Sequence, residues 1–309
     1  MANKKIYRQW AANHELPLFH RPEWLDAVCE WKAVVYQKGT DVWGLWPLPV
    51  IEQKGFKRII HPYLSPYLGP VVFYPEGQKN ANRIAHEKEV LGELIKQLPD
   101  YASLEVKCLP SLTNGLPFYW AGLNQTTRYT YILNNLTDTA ATFADFKDNV
   151  RREIRKAEKH LTVSEATTIN ALFDLKKASY EAKKQTLPFE LAFVEGIYKT
   201  VTTNNWGQLL EARDQQGHIH AAVLLVHDHQ TMHYLLGAAD PEHNNSGAMS
   251  LLLWRGIQLA TEKGLAFNFE GSMIPAIERF FSAFGGTLTP YHHITHERST
   301  LLKLKKLLG

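Results

Sequence analysis

The stretch that decides the fold is FNFEGSMIPAIERFFSAFGG, which runs from Phe267 to Gly286. It begins as a short apolar strand that ends in polar residues, continues as a small amphipathic helix, and closes with Gly285 and Gly286. Folds that combine helices and strands place their chemistry where a strand ends and the chain turns into a loop or helix. The stretch therefore predicts an α/β protein whose functional residues lie near Glu270.

Composition sets the limits of this expectation. A chain of 309 residues is long for one domain, so two domains are expected, and a net charge of +3 is too small to indicate general nucleic-acid binding. The two cysteines, Cys29 and Cys108, show no pairing pattern, which favours a reducing compartment. No secretory signal and no apolar run of the ~18 residues that a membrane span needs are evident. We therefore expect a cytoplasmic protein without a membrane span.

The first part of the chain reads mainly as strands. Alternating apolar residues and turn signals such as Gly39 and Gly55 predict a three-strand antiparallel meander. A helix with a Pro99 stop and two further strands follow. The predicted strands cover residues 31–36, 42–51, 56–61, 101–109 and 128–133, and the helix covers residues 80–98.

The second part opens with helices. Apolar residues at helical spacing predict one helix that begins with a capping-box-like pair, Thr142 and Asp145. The apolar stripe of that helix is Phe143, Phe146, Val150, Ile154 and Ala157. Further helices are predicted at residues 169–184, 190–201, 248–263 and 274–284, and strands at residues 208–213, 218–226, 231–238, 265–269 and 287–294.

The order of elements is the same in both parts: a three-strand meander, a loop, a helix, a strand, an irregular or short helical piece, and a last strand. This is a repeat of architecture rather than of residue identity. Turn-forming residues between Leu133 and Thr142 mark the boundary. We expect an α/β (α+β) protein with an N-terminal domain at residues 1–135 and a C-terminal domain at residues 136–309, the latter carrying the active cleft.

This order resembles the GNAT N-acyltransferase fold, present twice, as two mixed, mainly antiparallel sheets flanked by helices. The tandem arrangement looks like the Fem family of peptidoglycan aminoacyl transferases and the related Fem-like acetyltransferases. The segment from Arg151 to Lys159 resembles the basic Arg-x-x-Ile-Arg-Lys-Ala helix of that family. Residues 267–271 and 280–286 resemble its Asp-Phe-x-Gly strand end and its following Phe-Lys-x-x-Phe-Gly-Gly.

The resemblance implies a transferase that moves an acyl or aminoacyl group from acyl-CoA or aminoacyl-tRNA to a primary amine, with no metal. The acceptor would be a small molecule or a cell-wall precursor, and tRNA would be a partner if it carries the donor. Two positions depart from the family pattern: Asn268 replaces its aspartate and Phe281 its lysine. That lysine is implied to stabilise charge on the reacting carbonyl, a role for which Arg279 is the nearest candidate here.

A donor site is expected where residues 243–247 lead into the helix that begins at Ala248. Free N–H groups and the helix dipole at such a start favour an anion such as a phosphate. The GNAT phosphate loop, basic-x-x-Gly-x-Gly/Ala, is matched only in part, and the alternative is an ordinary helix cap by Ser246. The expected donor-binding residues are Gly237, Ala238, Asn244, Ser246, Gly247 and Ala248.

Glu270 is the expected general base, because a partly desolvated glutamate at a strand end is suited to accept a proton. Asn268 and Arg279 complete the expected catalytic set. The alternative is that Glu270 is a solvated loop carboxylate or an ion-pair partner of Arg279.

Two groups of residues are candidates for binding the acceptor. Arg151, Arg152 and Arg155 lie on one helix face and would clamp an anionic acceptor or a tRNA backbone. The alternative is a solvated face whose glutamates form local ion pairs. Tyr63 and Tyr67, in a loop rich in Pro and Tyr, either line an acceptor cleft or only pack a domain interface.

Other chemistries find less support. His218, His220, His227 and His229 resemble a metal cluster, but no Cys or His-Glu-x-x-His spacing accompanies them, so no metal site is expected. No Gly-x-Ser-x-Gly elbow indicates a serine hydrolase. Two rivals to the enzyme remain open: a catalytically inactive GNAT-like scaffold that binds a ligand or partner, and a tRNA-binding protein. Oligomeric state is not readable from the sequence.

Overall fold

The computed structural model of the protein describes residues 2–300. These residues divide into two units, one made of residues 2–128 and 290–300, the other of residues 129–289. The chain enters the second unit within one strand and leaves it within another, and the end of the chain returns to the first unit. This division differs from the expected domains at residues 1–135 and 136–309, because the last strand pairs with a strand of the first unit.

The first unit contains a mixed sheet with helices against it. Its helices are α1 (Ala2–Ala11), α2 (Pro22–Val28), α3 (Asn80–Lys96) and α4 (Leu116–Trp120). Its strands are β1 (Trp31–Lys38), β2 (Asp41–Gln53), β3 (Phe56–Ile59), β4 (Val71–Val72) and β5 (Ser103–Lys107). β6 (Asn124–Leu133) leads from this unit into the second one.

The second unit repeats this arrangement on a larger scale. Its helices are α5 (Thr139–Ala144), α6 (Asp148–Ala157), α7 (Asn170–Glu181), α8 (Leu191–Thr203), α9 (Ala248–Glu262) and α10 (Pro275–Ser282). Its strands, besides the end of β6, are β7 (Thr162–Ala166), β8 (Gly207–Arg213), β9 (Ile219–His227), β10 (Thr231–Ala239) and β11 (Ala266–Asn268). β12 (Thr287–Glu297) then returns to the first unit.

Strand order confirms the expected mixed, mainly antiparallel sheets. In the first unit the order is β1-β2-β3-β5-β12, with β4 on β2, and only β3 and β5 run parallel. In the second unit the order is β6-β11-β10-β9-β8-β7, and only β10 and β11 run parallel. Each unit therefore has a meander joined through a helix to a parallel strand, which is the repeat that the sequence predicts.

The core of the second unit fixes α9 against the sheet. Val223 and Leu225 of β9 pack with α9 in one cluster, and a side chain on Gly256 would collide with Leu225 and Phe267. Alternate residues of a strand face opposite sides, so Leu224 faces the other side of the sheet, where α7 and α8 pack. Burying each such side chain stabilises the fold by roughly 1.5–3 kcal/mol.

The predicted single helix after residue 142 is wrong. The structure has two helices, and the cap of the first is Asp138, whose carboxylate accepts hydrogen bonds from the backbone N–H groups of Ala140 and Ala141 at 2.8 and 3.2 Å. α6 then begins separately after Lys147, whose N–H is bound by the carbonyl of Ala283 at 2.9 Å. The apolar stripe still reaches one core, because Phe143 packs against the cluster that holds Val150 and Ile154.

The sequence interpretation also omitted five elements, which are α1, α2, α4, β4 and β7. α1 is mainly polar and buries only Tyr7, whose hydroxyl donates to the His20 carbonyl at 2.6 Å. β7 pairs with β8 and is partly exposed. Its sequence, TVSEA, does not show the regular alternation of apolar and polar residues that predicts a strand. Since α1 and β7 bury so little surface, they leave a weak periodic signal.

Candidate active site

The candidate site is an opening between two strands of the second unit. β10 and β11 pair side by side from Thr231 to His233, and the last pair joins His233 to Asn268. β11 ends there, whereas β10 continues to Ala239 with β9 as its partner. The register of β10 on β9 also shifts between Tyr234 and Leu236. Such a bulge bends the strand, so β10 diverges just past its last pair with β11.

Glu270 lies at the closed end of this opening and contacts His233. A carboxylate oxygen of Glu270 meets Nδ1 of His233, and the two side chains are 10% and 7% exposed. The backbone of Glu270 is left-handed, with φ of +60°. A left-handed glutamate is uncommon and costs on the order of 1–2 kcal/mol, so the surrounding contacts must hold it. Glu270 is therefore not the solvated loop carboxylate of the alternative interpretation.

Asn268 supports the turn that carries Glu270. Its Oδ1 accepts a hydrogen bond from the hydroxyl of Thr130 at 2.6 Å and another from the backbone N–H of Glu270 at 2.9 Å. Both Asn268 and Thr130 are buried. Since an aspartate could accept the same two bonds, the amide at this position preserves the turn and removes a buried charge.

Gly271 completes the turn. Its φ is +58°, and a Cβ built on it would lie 2.1 Å from the carbonyl oxygen of Tyr129. Only glycine fits so close to the backbone of β6 in this conformation. The glycine at the end of this sequence motif is therefore required for steric reasons.

α10 covers the opening from one side. Phe281, which replaces the family lysine, is buried against Phe269 and Tyr234, with ring centroids 5.5 and 5.8 Å apart. Arg279 is exposed and forms no ion pair with any residue from 2 to 300. Arg279 therefore does not pair with Glu270, and the structure does not bring these two predicted catalytic residues into contact.

The expected donor loop leads into α9 as predicted, and its glycine is packed tightly. Gly247 has φ of +76°, and a Cβ on it would lie 2.8 Å from the carbonyl oxygen of Glu153 in α6. Ser246 Oγ accepts a bond from the N–H of Ala248 at 3.3 Å, and Asn244 donates to the Pro241 carbonyl at 2.8 Å. The N-cap residue of α9 is Gly247 rather than Ser246, and it offers no side chain to the helix start, so further N–H groups of the first turn still lack helical acceptors.

Gly237, another expected donor residue, lies in the diverging part of β10. A Cβ on Gly237 would lie 2.2 Å from the hydroxyl of Tyr234, and that hydroxyl is 3.9 Å from the sulfur of Met249 in the first turn of α9. Tyr234 thus joins the strand to the helix start, and burial raises its pKa well above the usual value. Ala238 follows on the same strand and is buried.

Lys176 of α7 reaches the same segment. Its Nζ donates to the carbonyl of Gly237 at 3.1 Å, and burial lowers the pKa of this amine. Sequence reasoning missed Lys176, His233 and Tyr234. A single lysine on a helix and single residues within an apolar strand leave no pattern, so only the fold reveals them.

The arginines of α6 differ in their surroundings. Arg151 is bound to Asp148 and donates to the Ala144 carbonyl at 3.2 Å, while Arg155 lies over the ring of Phe143 at 5.5 Å. Arg152 is exposed and makes no ion pair within the described residues. Of the three expected acceptor-binding arginines, Arg152 is the one most available to a ligand.

The two acceptor-loop tyrosines belong to the first unit and differ as well. Tyr63 is 56% exposed, whereas Tyr67 is 1% exposed and packs edge-on against Phe19 and Tyr291. Burial leaves Tyr67 no surface to offer an acceptor, so its expected binding role is corrected to core packing.

The histidine groups are held by carboxylates and by one another. His218 and His220 both meet Asp214, at 3.2 and 3.3 Å, and His220 stacks on His243 with ring centroids 4.0 Å apart. Within residues 2–300, no group of three or more His, Cys, Asp or Glu side chains is arranged to hold a metal ion. In the same residues, every helix is too short or too polar to cross a lipid bilayer.

Residues 144–272, which include the opening, the start of α9 and Glu270, match the family described as "Acetyltransferase (GNAT) domain". These residues of the second unit are therefore similar to a GNAT domain. The match ends two residues after Glu270, so the strand opening lies within the matched residues, whereas α10 lies beyond them.

Solved structures share this fold over most of the chain. The crystal structure of FemX has a TM-score of 0.63 at 13% identity and covers 94% of this chain and 96% of its own. A tandem GNAT protein from the clavulanic acid biosynthesis pathway has a TM-score of 0.51 at 11% identity, over 95% of this chain and 88% of its own. The chain therefore shares its fold with FemX and with this tandem GNAT protein.

A third similar structure is the C-terminal domain of a putative lysylphosphatidylglycerol synthetase from Agrobacterium fabrum. It has a TM-score of 0.51 at 14% identity, over 82% of this chain and 80% of that domain. No curated protein matches the sequence. At these identities the likeness concerns the fold, and the chemistry has to be argued from the residues.

Proposed function

We propose that the protein is an N-acyltransferase that transfers an acyl or aminoacyl group to a primary amine. The observation that carries the proposal is the buried Glu270–His233 pair at the closed end of the opening between β10 and β11. A carboxylate there can accept a proton beside a bound donor. The start of α9 and the diverging part of β10 supply a place for the rest of the donor.

The reaction would proceed in one addition and one elimination. The amine nitrogen attacks the carbonyl carbon of the donor, and Glu270 accepts the proton that the amine loses. The C–N bond forms, the bond to the thiolate or the ribose oxygen breaks, and the leaving group takes up a proton. Holding the amine and the carbonyl in alignment would supply much of the rate enhancement.

Asn268 and Arg279 enter this proposal with different roles. Asn268 holds the turn of Glu270 through its bond to that residue's N–H, so it is a positioning residue. Arg279 lies exposed on α10, and only the resemblance suggests that it stabilises charge on the reacting carbonyl. Phe281 packs against Tyr234 and Phe269, so it adds apolar surface beside the strands that carry His233 and Glu270.

Donor and acceptor are proposed at the level of chemical class. The donor is acyl-CoA or aminoacyl-tRNA, held by Gly237, Ala238, Asn244, Ser246, Gly247 and Ala248. The acceptor is a small-molecule or cell-wall-precursor amine, and Arg152, with Arg151 and Arg155, would bind its anionic part. A cytoplasmic location would give access to either donor.

The test is thermal unfolding followed by product analysis. Coenzyme A, acetyl-CoA, a nucleotide-linked muropeptide and charged or uncharged tRNA are added separately, since a ligand that prefers the folded state raises the midpoint. The donor that shifts the midpoint is then incubated with a panel of primary amines, and amide products are sought by mass spectrometry. Binding without any amide product across the panel would contradict the proposal.

A second candidate function is a catalytically inactive GNAT scaffold. The observation that favours it is the burial of Phe281 in an aromatic cluster where the resemblance implies a lysine. A scaffold would bind its ligand equally well with Glu270 or with glutamine at that position and would show no turnover in either form.

A further inference from the structure

Lys176 is a partly buried cation at the diverging part of β10. Its ammonium donates one hydrogen bond, to the carbonyl of Gly237 at 3.1 Å. Gly237 lies four residues beyond His233, the last residue of β10 that pairs with β11. Lys176 therefore reaches the strand where it has left its parallel neighbour.

The surroundings of Lys176 supply little negative charge. No carboxylate within residues 2–300 forms an ion pair with it, the charged neighbour that acts on it is Lys183, and both this neighbour and burial lower the pKa of Lys176. An ammonium has three donors, and the Gly237 carbonyl takes one. The Nζ also lies 6.0 Å from the centre of the Tyr180 ring, a contact that takes up none of the N–H donors that a ligand oxygen would need, so the ammonium is suited to bind such an oxygen.

Two other groups reach the same segment of β10. The hydroxyl of Tyr234 lies over Gly237 and beside Met249, which belongs to the first turn of α9. Lys176 comes from α7, which packs on β9 and β10. The helix start and the ammonium thus both border the stretch of β10 that includes Gly237.

The segment of β10 at Gly237, which Lys176 contacts, lies some distance along the strand from the carboxylate of Glu270. Four residues of extended strand span about 13 Å, so Gly237 is about that far along β10 from the His233–Glu270 pair. A group bound at Lys176 would therefore belong to the arm of the donor rather than to its reacting carbonyl. Lys176 is placed to position the donor and not to take part in proton transfer.

We propose that Lys176 is a donor-binding residue whose ammonium contacts a carbonyl or phosphate oxygen on the arm of the acyl donor at Gly237. The proposal rests on the proposed function for the placement of the donor along β10. It adds a residue from α7 to a site otherwise built by β10 and α9. Coenzyme A and the 3′ end of a tRNA both carry such oxygens, and the test separates them.

The competing explanation is structural: Lys176 would only satisfy the Gly237 carbonyl. Three substitutions distinguish the two roles. Lys176→Arg keeps the charge and a donor, Lys176→Gln keeps a donor for the carbonyl but removes the charge, and Lys176→Met removes both. Lys199→Met removes the same charge from an exposed position on α8 and serves as the control.

The experiment is isothermal titration of the full-length protein with coenzyme A and, separately, with uncharged tRNA, together with a melting curve for each variant. We expect one of these probes to bind the natural protein. Lys176→Gln and Lys176→Met should each weaken that probe at least 10-fold, Lys176→Arg should recover most of the affinity, and Lys199→Met should match the natural protein.

Three outcomes would overturn the proposal: neither probe binds the natural protein, Lys176→Gln binds as the natural protein does, or weaker binding appears only in variants with lowered melting midpoints. Binding does not require turnover, so the two proposals can fail separately. Weakened binding in Lys176→Gln without any amide product from the natural protein would support the ligand contact and contradict the N-acyltransferase.

Discussion

Glu270 and His233 form a carboxylate–imidazole pair where β10 and β11 stop pairing, and both side chains are almost fully buried. His233 is the residue of β10 opposite Asn268, and Asn268 in turn binds the N–H of Glu270. The three residues therefore hold one another in a fixed arrangement. The Glu270 carboxylate is thus already in place when a donor binds beside it, and its side chain does not have to become ordered at that step.

The first prediction concerns Glu270 as the base. Glu270→Gln keeps the size and a hydrogen-bond acceptor for His233 but cannot accept the amine proton, so kcat should fall about 10²–10⁴-fold with donor affinity retained. Steady-state kinetics and titration with the identified donor measure the two effects. Glu195→Gln, at an exposed position of α8, should leave both unchanged. Full turnover in Glu270→Gln would show that another group accepts the proton.

The second prediction concerns the turn after Glu270. Gly271→Ala should destabilise the second unit by more than the ~1–2 kcal/mol that a left-handed alanine costs, because its Cβ would lie 2.1 Å from the Tyr129 carbonyl oxygen. Gly264→Ala is the matched control, since Gly264 also has positive φ, at +68°, with nothing within 4 Å of an added Cβ. Chemical denaturation measures both. Equal losses would mean that the close approach to β6 is easily relieved.

The third prediction concerns the basic face of α6. If this face binds the phosphates of tRNA, affinity should fall steeply with salt, and the double variant Arg152→Gln/Lys156→Gln should reduce the slope by roughly 0.7–0.9 for each phosphate that the variant no longer neutralises. Fluorescence anisotropy from low to high salt measures the slope. Lys199→Gln should leave it unchanged. Affinity that does not vary with salt would exclude tRNA as a ligand of this face.

The fourth prediction concerns acid stability in the first unit. His61 Nδ1 accepts a bond from the Lys107 N–H at 3.3 Å, and Nε2 lies 2.5 Å from the Ser65 carbonyl, which fixes a neutral ring. Burial, with a contribution from the Lys107 charge, lowers the pKa of His61 to about 3. In the unfolded chain, His61 binds its proton with the ordinary histidine pKa of about 6.5. The contribution of the neutral His61 ring to stability is therefore complete above pH ~6.5 and falls as the pH decreases toward 3.

Within that pH window, the change in the free energy of unfolding that is due to His61 should reach about 1.4 kcal/mol per pH unit. His61→Gln can keep one of the two hydrogen bonds and has no proton to gain, so its stability should be lower at neutral pH and change less with acid. Urea denaturation at several pH values between 7 and 4 measures this dependence. An unchanged slope in His61→Gln would assign the acid loss to other groups.

The fold could be predicted where local patterns and tertiary structure agree. The meanders, α3, α9 and the strand before Glu270 follow from periodicity and turn residues, and the order of these elements led to the tandem GNAT fold. The split between α5 and α6 could not be predicted, because the Lys147 N–H binds Ala283, far along the chain. The return of β12 to the first unit rests likewise on pairing with β5, which no local pattern encodes.

The candidate site divides in the same way. By itself, the sequence determined that Glu270 follows a buried strand and that Gly247 precedes a helix, because strand ends and helix starts are written in short stretches of residue types. Only the tertiary structure decided that His233 meets Glu270, that Lys176 reaches Gly237 and that Tyr67 is buried. Those relationships depend on which strands pair and which faces pack, and such contacts join residues that are distant in the chain.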